Sequence, residues 1–193
     1  MKCFTILLMS LRVFAQEGDH ADMMKMMEAY AKAATPGEAH QLLTAFEGDW
    51  TIKAKFRISA DMPWAESDSK GTAHWMLGKR FMAMKVVSGP TPEMPDGFEG
   101  FGVFGYDNIT EEYTLTWMDT MGTMTLLYRG HALEDGTGFS VSTTYTDIIT
   151  KKERPSSWIY RIENEDTLVT EIHEADMQGN LFLAGVITYT RAQ

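Results

Sequence analysis

Gly48-Asp49-Trp50-Thr51-Ile52-Lys53-Ala54-Lys55-Phe56-Arg57-Ile58 is the stretch that decides the fold. Trp50, Ile52, Ala54, Phe56 and Ile58 alternate with Thr51, Lys53, Lys55 and Arg57. A period of two predicts a strand with one apolar and one wet face. Similar segments follow near 68–77, 80–88, 98–106, 112–118, 123–130, 138–146, 156–162, 167–173 and 181–191. Turn signals separate them: Gly78-Lys79, the Pro90 to Gly97 loop, Asp107-Asn108, Glu134-Asp135-Gly136, Glu163 to Asp166, and Gln178-Gly179-Asn180. No helical pattern stands between them. Short connections favour antiparallel neighbours, and about ten consecutive strands must close or pack face to face to hide their edges. The predicted class is all-β, and an up-and-down barrel is the simplest closure.

Upstream of Gly48 the pattern is helical. Asp19 to Thr35 holds good helix formers with no Gly or Pro, and Met23, Met27, Tyr30 and Ala34 share one side. Four methionines within positions 23–27 could grip a partner; simple packing is the more ordinary use of such a stripe. Thr35-Pro36-Gly37-Glu38 reads as a capping box, with Pro36 at the first helical position. The helix it opens is expected to run to Phe46, with Leu42, Leu43 and Phe46 on its apolar face.

The first fifteen residues read differently again. Lys2, an apolar run from Cys3 to Leu11, and Val13 and Ala15 at the −3 and −1 positions describe a secretory signal. Arg12 fits that pattern badly. The expected division is 1–15 signal peptide, 16–47 helical segment and 48–193 barrel, in a periplasmic or secreted protein. Removing 1–15 takes away the single cysteine, Cys3, and leaves 15 basic and 27 acidic residues, a charge of −12. Disulfides and thiolate chemistry are then excluded from the mature chain.

The whole chain has 193 residues, 44% apolar and 23% charged, which are globular values. Its charge of −10 repels phosphate backbones, so no nucleic-acid partner is expected. No apolar run reaches the length of a membrane-spanning helix. Oligomeric state is not legible.

Gly48-Asp49-Trp50 opens the first predicted strand, and Thr190-Arg191 ends the last. In a closed meander those strands are neighbours, so the guanidinium can lie over the indole and plug one end. Here the sequence resembles the calycins, the lipocalin-like barrels. A closer resemblance rests on Phe81, Phe98-Glu99-Gly100, Gly105-Tyr106-Asp107-Asn108, Tyr113, Thr116-Trp117, Asp119 and Tyr189-Thr190-Arg191. These residues look like a bacterial lipocalin-like family catalogued only as a domain of unknown function, over about 36–193. The resemblance implies a barrel, frequently exported, and no reaction.

Motifs for chemistry are sparse. Gly100 to Gly105 matches G-x-G-x-x-G, but Tyr106-Asp107-Asn108 and another strand follow, so no helix start is available for a pyrophosphate. Gly100 and Gly102 are instead expected to make room for a bulky neighbour or a bound molecule. The histidines are His20, His40, His74, His131 and His173, and no two have metal-site spacing, so no metal or cofactor is expected. There is no G-x-S-x-G and no H-E-x-x-H.

The leading expectation is a barrel binding a small, mostly apolar or amphipathic molecule inside. Its candidate lining is Phe56, His74, Met84, Trp117, Asp119, Tyr128, Phe139, Trp158 and Tyr160, with Trp50 and Arg191 structural. Asp119 has two open readings: an inward carboxylate serving a ligand, or the cap of the Asp119-Thr120-Met121-Gly122 turn. The rival is an acid–base isomerase, lyase or hydrolase using Asp119, His74 and Tyr128 in the same cavity. A further alternative is haem. Nitrobindins are related barrels with a haem-ligating histidine on the final strand. Leu181 to Ile187 has none, and the residues after Trp50 lack the glycines nitrobindins carry; both departures count against it.

Overall fold

A computed structural model describes residues 17–91, 94–176 and 178–193. The predicted signal segment lies outside them. The chain divides into two compact units, one reaching Thr35 and one running from Pro36 to Gln193.

In the first unit, helix α1 spans Glu17–Ala34. Along it Met23 and Met27 are half-buried, while Met24, Met26 and Tyr30 are exposed. Thr35 closes this helix, its hydroxyl donating to the Ala31 carbonyl at 2.6 Å.

The second unit begins with α2 (Glu38–Leu42) and a 3-10 turn (Leu43–Phe46). Ten strands follow: β1 (Gly48–Phe56), β2 (Ala65–Met76), β3 (Phe81–Ser88), β4 (Phe98–Asp107), β5 (Glu112–Asp119), β6 (Leu126–Ala132), β7 (Gly138–Thr146), β8 (Glu153–Asn164), β9 (Thr167–Ala175) and β10 (Leu181–Arg191). Each pairs antiparallel with its neighbours in sequence, and β1 pairs with β10, so the sheet is a closed barrel. The meander expected from the period-two segments is therefore the fold.

Three details differ from the sequence reading. The capping box does not form. Thr35 donates back to the last turn of α1, and α2 is capped by Gly37, whose amide donates to the His40 ring at 3.1 Å. The expected single helix also tightens into 3-10 geometry at Leu43, which aligns Leu43 with Phe46 three residues on. Both are fully buried, at 0% and 1% exposure. Strand β8 starts before its expected position, running through Pro155. It pairs there with Thr144 of β7 only, so no ladder donor is missed on the β9 side.

Closure and the plug are one construction. Trp50 stands opposite Arg191 in the β1–β10 register. The guanidinium carbon lies 4.4 Å from the indole centroid. Its N–H groups donate to the carbonyls of Glu47 (2.7 Å), Glu165 (2.9 Å) and Ala45 (3.4 Å). Trp50 donates its indole N–H to the Phe46 carbonyl at 2.8 Å, and the Tyr113 hydroxyl donates to Ala39 at 3.0 Å. Side chains from β1, β5 and β10 thus satisfy carbonyls that a short helix leaves free. Gly48 has φ +121, and a Cβ there would sit 2.7 Å from Arg191 Nη1. The glycine of the G-x-W opening is required both by its backbone and by the arginine.

Below this joint Phe46 inserts its ring among Phe104 (5.1 Å), Tyr160 (5.7 Å) and Phe139 (5.9 Å). One end of the barrel is therefore filled with aromatic side chains.

Arg191→Lys keeps the charge but loses the planar stack and most of the forked contacts. It is expected to destabilise the fold by about 1–2 kcal/mol, read as a lower midpoint in urea denaturation with an unchanged slope.

Candidate functional site

The end opposite the plug carries the chemistry. Around it the inward positions of β5, β6 and β8 supply Trp117, Tyr128 and Trp158. Across the barrel, β1, β2 and β10 supply Ala54, Ser67, Ser69 and Gly185. One wall is aromatic and the facing wall is small.

Trp117 is held on two sides. A Cβ on Gly100 would lie 2.6 Å from its ring, and one on Gly102 would lie 3.2 Å from it. These glycines make room for the indole, one of the two uses expected of them. The Trp117 indole N–H donates to Asp119 Oδ2 at 2.8 Å, and Asp119 Oδ1 accepts the Met121 amide at 2.9 Å. Asp119 therefore caps its turn and anchors the tryptophan at once. Ring centroids of Trp117 and Trp158 are 5.5 Å apart, and those of Trp158 and Tyr128 are 5.4 Å apart.

Beside this wall lies a polar network that the sequence reading missed. Ser156 donates to Glu174 Oε1 at 2.7 Å, and Tyr145 donates to Glu174 Oε2 at 3.0 Å. Tyr128 and Ser156 hydroxyls are 3.3 Å apart. Burial raises the Glu174 pKa above its ordinary value; the bonds from Ser156 and Tyr145 and the charge of Arg154 oppose that rise. Burial, then the nearby Glu174 charge, pushes the Tyr145 phenol up to about 12. Arg154 turns away to Asp147, at 2.9 Å. The bonds Asp147 accepts from Thr150, Arg154 and the Ile149 amide hold its pKa well below the usual carboxylate range.

The signal for Glu174 was present. Leu168, Thr170, Ile172 and Glu174 alternate on one face of β9, but the expected strand stopped at 173, one residue short. Arg154 and Ser156 likewise continue the inward series of Trp158 and Tyr160 on β8.

The other expected lining residues divide. Met84 is inward and buried. Phe56 lies at the open rim, 40% exposed, with its ring against Gly185. Phe139 and Tyr160 face inward, but they stack on each other at 5.0 Å beside Phe46 and fill the plugged half. His74 is a correction. It points outward from β2 and is exposed, because Ala73 and Trp75 take the inward positions. The set Asp119, His74 and Tyr128 therefore does not converge. Nor does a haem-ligating histidine reach the open half: His173 is outward, 3.4 Å from Glu171, and His40 is buried beside the plug. Among the described residues no group of three His, Cys, Asp or Glu side chains could hold a metal. A groove of about 690 Å³ runs over the outer faces of β10, β1 and β2, past Lys53, Lys55, Glu66 and Asp68. It is not the barrel interior.

Fold and site define a ten-stranded antiparallel barrel, plugged at one end, with an aromatic and carboxylate-bearing interior at the other. The chain belongs to the family described as Protein of unknown function (DUF1579), whose profile matches residues 35–191. Two solved structures are similar. Rv2717c from M. tuberculosis matches with TM-score 0.60 at 15% identity, over 82% of this chain and 100% of that one. The S-type phycobiliprotein lyase CPES from Guillardia theta matches with TM-score 0.59 at 11% identity, over 85% and 97%. At such identities the likeness concerns the fold alone. No curated protein matches the chain. Among the described residues no helix is long and apolar enough to cross a membrane.

Two outcomes follow from this geometry. Gly100→Ala drives a methyl into a pinned indole and is expected to cost roughly 1–3 kcal/mol, with a shift in tryptophan emission. Glu174→Gln tests the buried carboxylate. Its raised pKa means that its ionisation opposes folding, so stability is full below about pH 4.5 and falls as pH rises through the elevated value. The melting temperature of the variant relative to the parent should rise between about pH 4 and about pH 7. A difference independent of pH contradicts the burial.

Proposed function

We propose that this protein is an exported, lipocalin-like barrel that takes up a small, mostly apolar molecule through its open end. The observation that carries the reading is the uneven burial of inward side chains. Phe104 and Phe139 near the plug are buried, whereas Trp117, Ser69 and Ile187 face inward yet remain half-buried. Water reaches an apolar, aromatic wall inside the barrel, and burying such a wall is how a small-molecule site gains affinity. Residues 1–15 support export, because the mature chain then keeps no thiol that an oxidising compartment would pair.

The polar groups fit binding better than acid–base turnover. Glu174 and Asp119 each accept two hydrogen bonds from the protein, which fix their carboxylates as parts of the wall. Acid–base turnover needs groups that converge on one substrate, and His74 points away from Asp119 and Tyr128.

Two measurements test the reading. Native mass spectrometry of protein purified from its source should show a bound small molecule released on denaturation. The apolar fluorophore N-phenyl-1-naphthylamine should bind one per chain, and Ser69→Trp, which fills the small-residue wall, should weaken it by at least about tenfold. A folded Ser69→Trp variant binding the fluorophore like the parent would place the site elsewhere.

A further inference from the structure

We propose that His40 is an acid-released latch, which holds helix α2 over the plugged end of the barrel while its ring is neutral and frees it when the ring takes a proton. The inference concerns the plug and stands apart from the binding reading above.

The bonding of the ring fixes its neutral form. The Gly37 amide donates to His40 Nδ1 at 3.1 Å, and the His40 amide donates back to the Gly37 carbonyl at 3.1 Å. A backbone amide only donates, so Nδ1 carries a lone pair and the one ring proton sits on Nε2. The Tyr106 backbone carbonyl is the acceptor on that side. Each ring nitrogen thus meets the partner that the neutral ring requires. The ring is 5% exposed and packs edge-on against the Tyr106 ring at 5.6 Å.

A second proton destroys this fit. It must sit on Nδ1, directly against the Gly37 N–H, so an accepted bond becomes a contact between two donors. The surroundings also oppose the charge. Burial, then the Arg80 guanidinium in the turn between β2 and β3, hold the ring pKa below its ordinary value; the Tyr106 backbone works the other way. The other titratable groups at this end supply no close counter-charge. Tyr106 on β4 and Tyr113 on β5 are neutral phenols, both with raised pKa values, and Glu38 on α2 itself is exposed.

The segment the latch frees is short. Beyond α2 the 3-10 turn has fastenings of its own: Trp50 donates to the Phe46 carbonyl, and Arg191 to those of Glu47 and Ala45. None of these titrates near neutral pH. On α2 itself the His40 bond is backed only by the Tyr113 hydroxyl, which donates to the Ala39 carbonyl at 3.0 Å. Protonation therefore lifts α2 from the Tyr106–Tyr113 pair, whose rings lie 4.9 Å apart, while the turn and the closed sheet stay in place. The sign follows from the lowered pKa. The freed ring takes a proton more readily than the held one, so the latch is whole above about pH 6.5 and weakens as pH falls below it.

NMR of the full protein tests this. At pH 8 the His40 ring nitrogens should show the Nε2–H form, and the ring should titrate below about pH 6.5. From pH 7.5 to pH 5 the exchange protection factors of the Gly37 and His40 amides should fall, by up to about tenfold per pH unit. Ladder amides of β1 and β10 should keep theirs. His40→Asn places an uncharged acceptor where Nδ1 stood, so Gly37 protection should no longer depend on pH. His40→Gln removes that acceptor, so the Gly37 amide should be unprotected already at pH 7.5. A ring that titrates at or above about pH 6.5, Gly37 protection unchanged by acid in the parent, or the same acid loss in His40→Asn would each overturn the latch. The parent titration decides alone if a variant does not fold.

Discussion

Everything in this molecule depends on one joint, where Arg191 at the end of β10 lies across Trp50 at the start of β1. A ten-stranded sheet has two edges, and each edge presents unpaired N–H and C=O groups. Pairing β1 with β10 removes both at once. The joining strands are about 140 residues apart in sequence, so the contact closes a long loop, and its entropic cost must be offset locally. The stack, the forked hydrogen bonds to Glu47, Glu165 and Ala45, and the buried plug of Leu43 and Phe46 sit together there and supply that offset.

The joint also sets the polarity of the barrel. By fastening α2 and the 3-10 turn over one end, it fills that half with Phe46, Phe104, Phe139 and Tyr160. The other half keeps its large side chains on β5, β6 and β8 and its small ones on β1, β2 and β10. A stable end and an accessible end are thus two outcomes of one topology. The buried carboxylate belongs to the accessible end, where the Ser156 and Tyr145 hydroxyls donate to it and Tyr128 lies against Ser156.

Trp117 shows how sequence features that look unrelated become one device. Gly100 and Gly102, read alone, mimic a nucleotide loop. Asp119, read alone, is a turn residue. In the barrel the two glycines form the floor under the indole and the aspartate holds its edge. The G-x-G-x-x-G pattern is a packing pattern here, because β4 runs into another strand and not into a helix.

The sequence by itself determined the strand count, the meander and the closing pair. Period-two alternation and turn residues are local, and Trp50 and Arg191 mark the ends of the series. The capping of α2 was not legible, because Thr35 can serve the helix before it or the helix after it, and the sequence offers both the Ala31 carbonyl and the Glu38 amide as its partner. Alternation ranks residues by face but does not say which face of β2 turns inward, so His74 could not be placed until Ala73 and Trp75 took the interior. Glu174, Ser156, Tyr145 and Tyr128 come from four strands and have no common spacing. Only closure brings them into hydrogen-bond reach, since the contacts between strands follow from register and not from distance along the chain.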